Sequence, residues 1–225
     1  FKTWVDESTA LLNSAPSFEL TVSSSDIPDE QIQPVVSDMR PQASVEKDYQ
    51  IILTEAELVQ WVEKIKTATL VAVDTETTSL DYMRAELVGI SVAVKAHEAA
   101  YIPFGHDYMG APEQLSKERV LEALKPYLED PALKKVGQNI KYDYRIFLKH
   151  GIQMNSIEDT MLMSYSLDAG KNRHGMDLLS ELHLNHKTIS FKDVAGIGKS
   201  QVTFDLVDIE QAKDYACEDA DITLR

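Results

Sequence analysis

The stretch Val71-Ala72-Val73-Asp74-Thr75-Glu76-Thr77-Thr78-Ser79-Leu80 decides how this chain is read. Its approach, Leu70-Val71-Ala72-Val73, is a short continuous apolar run, the pattern of a strand buried on both faces. The strand ends in two carboxylates, Asp74 and Glu76, spaced two apart. On an extended chain that spacing puts both side chains on one face. Two carboxylates beside a core repel each other unless a cation sits between them, and hard divalent ions favour such oxygen clusters. Taken alone, an acidic pair at a strand end is more often a solvated surface than a site.

Working outward, Tyr49-Gln50-Ile51-Ile52-Leu53 reads as a strand. Thr54 and Glu57 then match a capping box, followed by Leu58, Trp61, Val62 and Ile65 at helical spacing. Val88, Ile90, Val92 and Val94 alternate as in a strand, and Ala99-Ala100-Tyr101-Ile102 suits another. Helices are expected at 116–128, 140–150, 158–168, 175–184 and 207–224. Strands first and helices interleaved later predict an α/β domain with a mixed central sheet.

Two further acidic segments join the first. Val136-Gly137-Gln138-Asn139-Ile140-Lys141-Tyr142-Asp143 places Asp143 just inside a helix that follows a short strand. Near the C-terminus, Tyr215 and Asp219 stand four apart on one helix face, with Ala212, Ala216 and Ile222 near it. That face is expected to point inward, with Asp214, Glu218 and Asp221 turned to solvent. Each helical acid alone is by default a surface charge; the order and spacing of all three segments carry the weight.

Composition sets limits. The 225 residues carry a formal net charge of −15, awkward for a protein that must hold nucleic acid by its own charge. Bound cations would supply positive charge locally. No apolar run approaches the ~20 residues a membrane helix needs. The single cysteine, Cys217, builds neither a disulfide framework nor a Cys-based zinc site, which fits a reducing cytoplasmic compartment. The six histidines form no ligand pattern, and His183 and His186 read as structural or solvent-facing. Gly196-Ile197-Gly198-Lys199-Ser200 ends like a phosphate-binding P-loop, but the required earlier glycine position holds Asp193. A basic loop is the better reading.

Asp-x-Glu on a strand, Asn139-x-x-x-Asp143 at a helix start and Tyr215-x-x-x-Asp219 on a late helix resemble the proofreading exonucleases of the DEDD superfamily, in the branch with a tyrosine in the third motif. The text between the motifs resembles one family, the 3′→5′ exonuclease domain of bacterial family A DNA polymerase I. Tyr101-Ile102-Pro103, Val136 to Asn139, Arg173-His174 with Met176-Asp177, His186-Lys187-Thr188-Ile189 and Glu218 to Asp221 carry it. The resemblance implies a ribonuclease H-like fold over residues 48–225, truncated at its C-terminus. Residues 1–47, with Ser23-Ser24-Ser25-Asp26 and Pro28, Pro34 and Pro41, then read as the remnant of an upstream domain and an acidic disordered linker.

The same resemblance implies a bacterial, cytoplasmic monomer that hydrolyses single-stranded DNA from its 3′ end with two divalent ions, Mg²⁺ or Mn²⁺. Asp74, Glu76 and Asp219 would hold one ion, Asp74 would bridge to the second, and Asp143 would reach that ion through water. Tyr215 and Glu76 would orient the attacking water. Leu80 and Phe191 would pack on the terminal bases, while Thr77, Gln138, Asn139 and Lys199 would contact sugar or phosphate. A polymerase domain is expected in the full-length chain. Two alternatives remain: an exoribonuclease of the same superfamily, and a non-catalytic scaffold domain of a polymerase. An acidic binding module ranks last.

Overall fold

The computed structural model describes residues 46–225. The reading of residues 1–47 as an upstream remnant and linker thus lies almost wholly outside the described residues. Six strands form one mixed sheet: β1 (Asp48–Ile51), β2 (Leu70–Thr77), β3 (Leu87–Lys95), β4 (Glu98–Pro103), β5 (Lys134–Gly137) and β6 (Ile157–Asp159). Their spatial order is β1-β4-β3-β2-β5-β6. β2, β3 and β4 form an antiparallel meander, while β1 pairs parallel with β4, β5 with β2, and β6 with β5. The helices are α1 (Glu55–Thr67), α2 (Lys117–Leu128), α3 (Lys141–Lys149), α4 (Thr160–Asp168), α5 (Met176–Leu184), α6 (Phe191–Ala195) and α7 (Ile209–Leu224). Among the described residues no helix is long and apolar enough to cross a membrane.

Local chemistry explains the first helix. The Thr54 hydroxyl accepts from the Glu57 amide, and the Glu57 carboxylate accepts from the Thr54 amide 2.9 Å away, closing the expected capping box. Leu58, Trp61 and Ile65 follow on the buried face.

The two faces of the sheet pack against different layers. Val71 and Val73 belong to a core with Ile90, Val92 and Ile102, covered by α1, α2 and α3 through Trp61, Leu124 and Phe147. Ala72 belongs to a second core with Ala93, Ala99 and Tyr101, covered by α7 through Ala212, Ala216, Cys217 and Ala220. The alternation of period two thus sends odd residues of β2 to one layer and even residues to the other. Alanines on both sides of the second interface let α7 lie close across β1 to β5. That close approach brings a helical side chain within reach of the strand's own.

β2 carries both carboxylates, as expected, and ends one residue on at Thr77, with a register irregularity against β3 between Glu76 and Thr77. β6 and α6 were not foreseen. Three and five residues long, they are too short to show periodicity.

Candidate active site

Even-numbered Asp74 and Glu76 project from β2 toward α7, where Asp219 meets them. One carboxylate oxygen from each lies within 4.8 Å of the others. Asp143 arrives from the opposite layer, on the first turn of α3. Odd-numbered Thr75 points that way and catches it: the Thr75 amide and hydroxyl both donate to Asp143 Oδ1, at 3.0 and 2.5 Å. One β-strand therefore supplies two acids to one side and fixes a third from the other.

The four acids floor a cleft of about 700 Å³, walled by Thr77 to Leu80, Gln138, Asn139, Tyr142, Phe191, Phe204 and Tyr215. Phe191, Phe204 and Tyr215 form an aromatic wall. Phe191 stacks on Phe204 at 6.3 Å between ring centres and meets Tyr215 edge-on at 6.2 Å. Leu80 lines the same cleft and stands 94% exposed. The Thr77 and Tyr142 hydroxyls share a hydrogen bond at 2.6 Å and both lie within hydrogen-bond distance of the Ser79 carbonyl, closing the turn that presents Leu80.

Residues 49–225 match the family model described as 3′-5′ exonuclease. This chain belongs to that 3′-5′ exonuclease family. Its domain is 51% identical over 183 residues to DNA polymerase I of Pseudomonas aeruginosa, covering 80% of this chain and 20% of that protein. It is 47% identical over 203 residues to DNA polymerase I of Rhizobium leguminosarum, covering 81% and 20%. The chain thus spans about one-fifth of the length of these relatives. Among solved structures, Escherichia coli RNase D, described as an exoribonuclease involved in structured RNA processing, superposes with a TM-score of 0.58 at 19% identity, over 79% of this chain and 42% of that one. That likeness concerns the fold, which is ribonuclease H-like.

The exonuclease domain brings together every acid singled out from its sequence, with Tyr215, Thr77, Leu80, Gln138, Asn139 and Phe191 around them. Lys199 sits exposed on the 3₁₀ turn Gly198–Ser200; Gly198 lines the cleft and Lys199 does not. The Gln138 amide is committed to the scaffold, donating to the His174 carbonyl at 2.8 Å and accepting from the Thr160 hydroxyl at 2.5 Å. Asn139 holds a left-handed backbone with φ 57°, and its amide donates to Asp159. Asparagine tolerates that conformation better than most residues.

One expectation is corrected. Asp214 is exposed as expected, but Glu218 and Asp221 are buried, 2% and 0% exposed. Tyr49 Oη–H and the His97 amide donate to Asp221 at 2.9 and 2.7 Å. Lys47, His186 and the Ile189 amide converge on Glu218. Helical spacing showed one buried face; α7 is covered by the sheet and by the segment before α6 together, so its buried arc is wider. Thr75, Tyr142 and Phe204 were missed because their roles depend on partners distant in sequence.

The acids suit divalent cations on electrostatic grounds. Glu76 is buried, and its Oε1 has no hydrogen-bond partner. A buried orphan oxygen of this kind needs an explanation, and a bound ion supplies one. Burial pushes the Asp74 carboxyl up to about 7, against a backbone hydrogen bond from Thr75. Burial and the charges of Asp74, Asp219 and Asp143 push Glu76 well above the ordinary range. Asp143 and Asp219 rise for the same reasons, burial first and the Asp74 charge next.

These directions fix a pH dependence. All four acids bind protons more tightly in the folded domain than in the unfolded chain, so stability in chelator falls as pH rises above ~4, through about 7 for Asp74. Cations compete with those protons. The expected result is a larger rise in melting temperature on adding Mg²⁺ or Mn²⁺ near pH 8 than near pH 5. At ~100-fold excess over Kd the gain is ~2.7 kcal/mol, or roughly 5–10 °C for a domain of this size. Differential scanning fluorimetry checks it, and equal shifts at both pH values would refute it.

Proposed function

We propose that the cleft hydrolyses the 3′-terminal phosphodiester of single-stranded DNA with two divalent cations, releasing deoxynucleoside 5′-monophosphates. The observation that carries this reading is the convergence of four acids from three separate segments beneath an exposed leucine and an aromatic wall. Asp74, Glu76 and Asp219 would hold one cation, and Asp143, held by Thr75, would serve a second. When bound, the cations lower the pKa of the attacking water and offset charge on the phosphate and leaving oxygen.

The chain's own groups do the rest. Burial, then the charges of Asp219, Glu76 and Asp74, keep the Tyr215 phenol protonated at every working pH, so it orients the attacking water as a neutral hydroxyl. Leu80 and Phe191 both line the cleft and hold the terminal base between an aliphatic and an aromatic surface. Such stacking accepts any base, because every base has a π-face. In the whole protein, this activity serves a polymerase as its proofreading step, as the family of the relatives supports.

The test is a 5′-labelled single-stranded DNA incubated with Mg²⁺ or Mn²⁺ and with chelator, beside RNA of the same sequence. Stepwise 3′ shortening of DNA that stops with chelator is the expected outcome. Internal cuts, 5′ losses or faster RNA degradation would each defeat the proposal. Leu80→Ala is expected to raise KM on the DNA about tenfold, within the range of one lost base contact. As an exposed side chain it should leave stability within ~0.5 kcal/mol. Steady-state kinetics and thermal melting separate the two, and a KM unchanged within error would remove Leu80 from the substrate site.

A further inference from the structure

Glu218 is buried one residue before the site acid Asp219, yet it turns away from the acidic cluster. Its Oε1 accepts from Lys47 Nζ at 2.9 Å and from His186 Nε2 at 2.8 Å. Its Oε2 accepts the Ile189 amide at 2.5 Å. Two of these three partners lie on one segment, the link from α5 to α6. The link leaves α5 through Asn185 in a left-handed conformation, and Ser190 caps α6 with Asp193. The next residue is Phe191, which rests on Phe204 and Tyr215. A charge-assisted hydrogen bond two residues before Phe191 fixes where that ring stands, while Tyr215 and Glu218 share α7. The ring, the tyrosine and the clamp are one mechanical unit.

We infer that Glu218 is a positioning residue for the substrate's terminal base: it pins the 186–190 link and through it holds Phe191 against Tyr215. This rests on the exonuclease reading above. It assigns a duty to an acid of the third motif that holds no cation. Binding of the base then depends on Glu218, while hydrolysis depends on the neighbouring Asp219.

Two readouts test it on this chain. Glu218→Ala is expected to raise KM on single-stranded DNA about tenfold, with kcat within about twofold, because one base contact is loosened and the cations are untouched. Phe191→Ala should show a similar change, and the double variant should be no worse than either single one, as for residues acting through one contact. On a DNA whose 3′-terminal nucleotide lacks its base, wild type and Glu218→Ala should have the same KM. Glu218→Gln, which keeps an acceptor for the Ile189 amide, should recover most of the loss.

Independently of activity, hydrogen exchange should be about tenfold faster at the Ile189 amide in Glu218→Ala, with β2 and β3 unchanged. A kcat that falls equally on both DNAs, or additive effects with Phe191→Ala, overturns the inference while leaving the exonuclease reading intact. So does unchanged exchange at Ile189. A wild type with no activity on any DNA, despite the expected exchange response, overturns both, since the clamp would then hold no substrate wall.

Discussion

Asp74→Ala should leave a folded domain that no longer shortens DNA. Asp74 is the acid whose charge acts on Glu76, Asp143 and Asp219 alike, so it sits at the centre of the cluster. Loss of a central cation ligand removes several kcal/mol of transition-state stabilisation, on the order of a 10³-fold fall in kcat or more. The same change should raise the melting temperature in chelator near neutral pH, because it removes a half-buried carboxyl whose pKa desolvation pushes up to about 7. Dead but more stable is a combination that a misfolded variant cannot produce. Activity within tenfold of wild type would show that the cleft's chemistry lies elsewhere.

Asp221→Ala should be the most destabilising single change on α7. Asp221 is fully buried and holds Tyr49 and the His97 amide, with Arg225 nearby at 3.7 Å. Removing it leaves a part-buried hydroxyl and amide without their acceptor and frees an arginine, a loss of ~3–5 kcal/mol. For a domain of this size that lowers the melting temperature by about 10 °C or more. Asp214→Ala, on the exposed side of the same helix, should change stability by no more than ~0.5 kcal/mol. Thermal melts of the pair decide it: equal shifts would mean that the anchoring of β1 and the β3–β4 turn to α7 contributes little.

Much of this was legible in the sequence, for physical reasons. β2 was readable because a run buried on both faces is continuously apolar, and the Asp74–Glu76 spacing fixed their common face. Five longer helices were readable from periodicity to within two residues at their ends. What stayed hidden depends on contacts between distant segments. Thr75 looks like filler until α3 brings Asp143 to it. Glu218 and Asp221 look like the solvent face of a helix, because nothing in the local spacing shows that a second layer covers them. Gln138 reads as a contact to sugar or phosphate; the structure sets it in the cleft wall, and the bonds of its amide to His174 and Thr160 could not be read from local sequence.

The reach of α7 also bears on how the protein is made. Lys47 and Glu218, joined in the finished domain, are separated by 171 positions along the chain. At ~5–20 residues per second a ribosome needs roughly 10–30 s to cover that distance. For most of that interval the nascent chain already carries Asp74 and Glu76 but lacks Asp219, Tyr215 and the clamp on the Phe191 segment. On the reading proposed above, the cleft gains its fourth acid and its aromatic wall only once α7 has been made.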